Sequence, residues 1–222
     1  EPLTPHYLRG LFQSMRNLAT ENLRLLRRRL GMLPVETVPL AERVLALESA
    51  TIQRYRMLLD HSIGSQRLRV HGDFHLGQVL WDGRDFVLIN FQGEPTVSSS
   101  ERRLKRPPLR DVASMIRSFD YAATVALDQQ VARGSLPPEN VAAFEPWVRV
   151  WRHAVSAAFG HAYREALGTS ELLPATPEEL EVLLHAHLLN GAIQEIGCEL
   201  HRQPARLKIP LRAILRLLGE PS

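Results

Sequence analysis

Lysine is nearly missing from this chain. Only Lys105 and Lys208 occur, neither in a strand context, and every other basic side chain is arginine. Cysteine is scarcer still. Cys198 stands alone, which excludes an intramolecular disulfide, and its place in an apolar helical pattern predicts a buried thiol suited to a reducing cytoplasm. No run of about eighteen apolar residues exists, which excludes a membrane-spanning helix. The opening EPLTPHYLRG carries no basic-then-apolar signal segment and does not begin with Met, so the chain is expected to be cut or processed from something longer. Nucleic-acid binding would want aromatic platforms or a reader motif, and neither is present.

What remains is ordinary globular material. The 222 residues are 45% hydrophobic and 23% charged, with a formal net charge of +3, enough for one substantial domain with room for an appended helical layer. The densest basic cluster, LRLLRRRL (23–30), places Leu at helical spacing, so its arginines read as a solvated face over a packed leucine stripe.

Apolar periodicity predicts a long amphipathic helix over 7–30, stopped by Gly31 and Pro34, and a second helix over 40–60. RLRVHGD alternates, and QVLWDGRDFVLIN predicts two short strands joined by a tight Asp82-Gly83 turn. A polar loop ending in Pro107-Pro108 follows. Further helices are expected over 109–132 and 139–168 (with a possible break at Pro146), from the capping box Thr176-Pro177-Glu178-Glu179 to about residue 201, and over 211–218. There is no internal repeat. The expected architecture is mainly α with one small buried β-hairpin.

The stretch HGDFHLGQVLWDGRDFVLINFQGEP (71–95) carries the chemistry. Phosphoryl transfer needs a base for the acceptor hydroxyl, a Mg²⁺ held by a carboxylate and a side-chain oxygen, and positive charge around the phosphates. In kinase-like folds the base precedes a short hairpin and the metal carboxylate follows it. Asp73 precedes the hairpin, Asn90 follows it, and Gln78 occupies the place where kinases put a metal-binding Asn.

The pattern H-G-D-x-H-x-G-Q resembles the catalytic loop of the aminoglycoside-phosphotransferase-like kinases. HGDFHLGQVL, IxFxGEP, ERRLKRPPLRDVA and SFDYAA together are similar to the maltokinases. LFQSMRNLA and IPLRAILRLL resemble the maltokinase domain fused behind trehalose synthase. The resemblance implies ATP as phosphate donor, Mg²⁺, maltose as acceptor and maltose 1-phosphate as product. It makes the whole of 1–222 the C-terminal lobe of a protein-kinase-like fold. Residues 1–66 form a helical lead-in, 67–108 the catalytic loop, metal hairpin and following loop, and 109–222 a helical subdomain. No β-rich stretch with a lysine precedes residue 71, so the N-terminal ATP lobe is expected upstream in a longer parent, with a trehalose synthase domain as a further partner.

Carried over by position, Asp73 is the catalytic base, His71 braces the loop, and Gln78 and Asn90 stand at the metal and nucleotide phosphates. Gln92 lies where a further metal-site carboxylate is expected. Asn90 and Gln92 depart from the family's Asp and Glu, and Glu94 is expected to order the loop toward Arg102 and Arg103. Both substitutions are nearly isosteric, so the fold should survive. The lost negative charge is expected to slow transfer on the order of 10²-fold or more. Two other readings stay open: a non-catalytic module supporting a fused trehalose synthase, and a kinase for another small hydroxyl compound such as an aminoglycoside or choline.

Other residues divide between chemistry and structure. His75 fits either substrate contact or a backbone bond. Arg102, Arg103, Lys105 and Arg106 fit solvated loop charge or phosphate contact, and Asp111 fits a cap tying loop amides. Trp147, Trp151, Phe159 and Tyr163 share one helix face and read more readily as core than as a sugar platform. Asn190, Gly191, Gly197 and Cys198 fall where the resemblance expects an acceptor pocket. His185, His187, Glu195, Glu199 and His201 lack the spacing of a zinc site.

Overall fold

The computed structural model describes residues 1–93 and 98–220. The first helix, α1 (Pro5–Arg29), begins where Thr4 accepts a hydrogen bond from the Tyr7 amide and Pro5 fills the first turn. Leu8, Met15, Ala19, Leu23 and Leu26 are buried along one stripe, while Arg24, Arg27 and Arg28 are exposed. Gly31 is expected in the cap position that stops this helix. Instead it lies inside a 3₁₀ turn, Leu30–Met32, and does not take a positive φ.

The single helix expected over 40–60 is two helices, α2 (Val38–Ala46) and α3 (Glu48–Asp60), broken at Leu47. No proline or glycine marks this break. The two halves serve different neighbours: α2 packs on the C-terminal helix α8 (Lys208–Leu217), and α3 packs on α1 and α7 (Pro177–Arg202). The body is completed by a short α4 (Ser99–Arg102), α5 (Leu109–Ala132) and α6 (Val141–Leu167). Pro146 sits within α6, which runs through it.

Helix α7 is the axis of the core and touches α1, α3, α5 and α8. Leu183, Ala186, Leu189, Ala192, Ile193 and Ile196 are essentially solvent-free along it. Half of the expected capping box forms: Thr176 accepts from the Glu179 amide at 3.2 Å. The Glu179 carboxylate instead reaches outward and accepts from the Gly64 amide at 3.1 Å, tying the segment before residue 71 to α7. Gly197 marks a tight crossing, since an added Cβ would stand 2.2 Å from the Asn22 side-chain oxygen on α1. The absence of a Cβ here leaves room for the Asn22 side chain of α1 against α7. Cys198, expected to be buried, is exposed, because it falls between the inward-facing Ile196 and Leu200 on the outer side of α7.

The only strands among the described residues are β1 (Val79–Trp81) and β2 (Phe86–Leu88), antiparallel with Val79 opposite Leu88 and Trp81 opposite Phe86. The connecting turn spans four residues rather than two. Asp82 caps it by accepting from the amides of Arg84 and Asp85, both at 2.8 Å, which holds its carboxyl below the ordinary carboxylate range. The expected burial of this hairpin is corrected. Leu80, Trp81, Phe86, Val87 and Leu88 are exposed, because no described helix covers either face beyond the Val79 end. RLRVHGD contributes only an isolated bridge, Leu68 to Arg106.

Candidate functional site

The loop 71–78 is held by contacts from α5 and from the exit of the hairpin. From below, Asp111 in the first turn of α5 accepts from the His71 amide at 2.7 Å and the Gly72 amide at 3.0 Å. Burial pushes this carboxyl above its ordinary value, against the two amide donors that pull it down. Further along α5, the Ser118 hydroxyl accepts from the Leu76 amide at 3.2 Å. Asp111 thus takes the structural role that its place at a helix start suggested.

From the side, His71 joins the loop to the exit of the hairpin. Its Nε2 donates to the Ile89 carbonyl at 2.8 Å, which fixes Nδ1 as the acceptor for the Asp73 amide at 3.3 Å. The ring lies between Phe74 and Phe91, with centroids 5.6 and 5.1 Å away. Phe74 in turn approaches Phe159, which neighbours Tyr163. The aromatic stripe of α6 therefore divides. Phe159 and Tyr163 pack inward behind the loop, whereas Trp147 and Trp151 are exposed.

Two glycines allow the loop and the post-hairpin turn to touch. Gly72 and Gly93 both take positive φ, +82° and +77°, and a Cβ on Gly72 would lie 3.6 Å from the Gly93 Cα. Only glycine adopts this conformation without strain at so close an approach.

These supports bring Asp73, Gln78 and Asn90 together. Gln78 Nε2 donates to Asp73 Oδ2 at 3.1 Å, and Asn90 Nδ2 donates to Gln78 Oε1 at 2.7 Å. Gln78 is buried, Asp73 is partly exposed, and Asn90 is at the surface with φ +61°. The left-handed region suits Asn better than most side chains. His75 stands at the same edge. Its Nδ1 accepts from the Gly77 amide at 3.1 Å, and its Nε2 lies 3.7 Å from Asp73 Oδ1. Of its two expected roles, the backbone bond is formed.

Gln92 stands apart from this cluster. It is exposed, and its backbone carbonyl accepts from Arg102 Nη1 at 3.2 Å. Glu94 lies outside the described residues. The basic stretch is largely engaged within the chain: Lys105 pairs with Glu1 at 2.8 Å and Arg106 with Glu101 at 3.6 Å, while Arg103 is exposed.

A Mg²⁺ ion, implied by the resemblance, does not fit the side chains as they stand. Among the described residues Asp73 is the only carboxylate in the cluster, and the Gln78 oxygen that would face a cation already accepts from Asn90. Among the described residues no group of three or more His, Cys, Asp or Glu side chains could hold a metal. Hard cations of this kind prefer carboxylate and phosphate oxygens.

Sequence reasoning missed a second polar cluster. Asp120 receives Arg117 at 2.6 Å, Arg152 at 2.8 Å and Arg216 at 2.7 Å, and Arg117 also holds Glu195 through two hydrogen bonds. Burial works to raise the Asp120 carboxyl, but the three guanidinium groups hold it below its usual range. Tyr121 donates to Glu199 at 2.9 Å and accepts from Arg206 at 3.2 Å. The only sequence signal was Arg117 and Asp120 at helical spacing of three.

No protein-family model matches the chain. A glucosamine kinase from Streptacidiphilus jiangxiensis is 33% identical over 110 residues, 49% of this chain and 23% of that protein. A glucosamine kinase from Mycolicibacterium smegmatis (strain ATCC 700084 / mc(2)155) is 29% identical over 153 residues, 68% of this chain and 34% of that protein. Among solved structures, a glucosamine kinase in complex with glucosamine, ADP and inorganic phosphate superposes with a TM-score of 0.78 at 23% identity, covering 99% of this chain and 49% of that one. A second crystal form of a glucosamine kinase gives 0.77, covering 98% and 48%. The chain thus spans about half the length of the solved chains and a smaller share of the curated relatives. These relatives are sugar kinases, the coarser class that the motifs imply, and neither is described as a maltokinase. At this identity the superposition establishes a shared fold: this chain has the fold of one half of a glucosamine kinase.

Proposed function

We propose that this chain is the catalytic and acceptor-binding lobe of an ATP-dependent sugar kinase. The observation that carries the reading is the meeting of Asp73, Gln78 and Asn90 across the hairpin, beside His75. In the proposed reaction Asp73 accepts the proton of a sugar hydroxyl. The sugar oxygen then bonds to the γ-phosphorus, the bridge to the β-phosphate breaks, and ADP leaves. His71 and Asp111 hold Asp73 in place without entering the reaction.

Two acceptors compete. Glucosamine is supported by the names of the relatives, and by the neighbour solved with glucosamine and ADP. Maltose, with maltose 1-phosphate as product, is supported by the motifs in 71–123, although not by those relatives. We favour the amino sugar. The ATP lobe is assigned to the part of a longer protein that this chain does not span. The exposed apolar hairpin, with Trp81 and Phe86 outward, offers a face for it. A trehalose synthase partner rests on the resemblance alone, and a cytoplasmic setting on the single cysteine, Cys198.

A second reading, a non-catalytic lobe, is favoured by the amides at Asn90 and Gln92. Phosphate transfer from ATP to glucosamine, maltose and glucose by the full-length parent tests both. Glucosamine phosphate as the main product supports the preferred reading, and maltose 1-phosphate shifts the acceptor. No sugar-dependent ADP release from an ATP-binding parent favours the non-catalytic lobe.

A further inference from the structure

We propose that the Asn90 carboxamide replaces a divalent cation as the element that joins the post-hairpin residue to the catalytic loop, so that the site is assembled without metal. The inference stands apart from the proposed activity. It concerns what holds the site together, and its test uses no turnover.

The donors and acceptors run in one direction. Asn90 Nδ2 donates to Gln78 Oε1 at 2.7 Å, and Gln78 Nε2 donates to Asp73 Oδ2 at 3.1 Å. Each amide presents its NH₂ toward an oxygen, with Gln78 Nε2 also 3.3 Å from His75 Nε2, and the ladder ends on a carboxylate, which only accepts. A carboxylate at position 90 would break this order. Gln78 would then lie between two acceptors while having one oxygen and one nitrogen to offer. In either orientation its oxygen faces a carboxylate oxygen, a contact that needs a proton or a cation between them. The single change from carboxylate to carboxamide removes that need and one negative charge together. Gln78 is buried, so the match of its two ends matters more than it would in water.

The backbone does not confuse the comparison. Asn90 sits at φ +61°, a conformation that Asn and Asp both tolerate, so Asn90→Asp isolates the side-chain chemistry.

The experiment compares this chain with its N90D variant by thermal unfolding, in EDTA and in Mg²⁺ or Mn²⁺ at matched ionic strength. The wild-type melting temperature is expected to be the same in all three. N90D is expected to melt about 2–4 °C lower in EDTA, the shift for losing one such contact in a domain of this size, and to regain that loss with either metal. A wild-type chain stabilised by metal as much as N90D, or an N90D variant as stable as wild type in EDTA, overturns the proposal. If N90D does not fold, Mn²⁺ titration of the wild-type chain followed by electron paramagnetic resonance decides. An undiminished free-ion signal supports the ladder, and stoichiometric loss of that signal contradicts it.

Discussion

On α7, Leu189 is 1% exposed and Ile193 and Ile196 are fully shielded, whereas on the hairpin Trp81 is 59% and Phe86 66% exposed. Residues of similar hydrophobicity thus do opposite things in the two regions. The helical body gathers apolar stripes from α1, α3, α5, α7 and α8 around one axis, and its stability comes from burial. The 71–78 loop and the hairpin bury little. They are fixed by the Asp111 carboxylate, the His71 ring, two glycines at positive φ and an amide ladder. Directional bonds suit a site better than packing does, because they fix individual side-chain atoms while leaving an open edge for substrate.

The widest separation between the regions should appear on truncation. Leu189→Ala is expected to cost about 2–5 kcal/mol in urea unfolding, whereas Trp81→Ser should change stability by less than about 0.5 kcal/mol. Comparable losses at both positions would mean that the hairpin is packed in solution. Next in size is Asp111→Ala, which leaves the His71 and Gly72 amides without their acceptor and should cost roughly 1–3 kcal/mol. Hydrogen exchange at these two amides should rise while α7 amides stay protected. Equal protection in variant and wild type would refute the assigned contact.

A third effect links the two regions through pH. His187 is buried on α7. Desolvation first, and then Arg110 and Arg106, bring its pKa down to about 3. Its Nε2 has no hydrogen-bond partner among the described residues. The folded chain therefore keeps this ring neutral, while the unfolded chain protonates it below about 6.5. The stability it contributes is complete above that pH and is lost as pH falls toward 3, by up to about 1.4 kcal/mol per pH unit. His187→Leu should flatten the stability profile between pH 6.5 and 5 relative to wild type. An unchanged slope would show that other groups set it.

Much of the body was legible because helical periodicity and caps are local. Helix α5 begins and ends where its pattern does, and Thr176 caps α7 as its sequence predicts. The break at Leu47 was not legible, since it is imposed by distant helices rather than by a breaker residue. Nor was the exposure of the hairpin: an apolar run reads as buried until the elements that could cover it are located. In the site, the spacing of Asp73, Gln78 and Asn90 around a hairpin sufficed to foresee that they meet. The Asp120 cluster could not be foreseen, because Arg152 and Arg216 lie 32 and 96 residues away in sequence. That Asn90 would donate to Gln78 needed coordinates, since composition gives an amide no direction.

The account turns on Asp73 as the group that takes the acceptor proton. Its most direct test is sugar-dependent ADP release by the full-length parent carrying Asp73→Asn, which keeps an oxygen for the Gln78 contact while removing the base. The account predicts a fall of about 10²–10⁴-fold in kcat with little change in the melting temperature. Turnover within a few fold of wild type in a folded variant would contradict it.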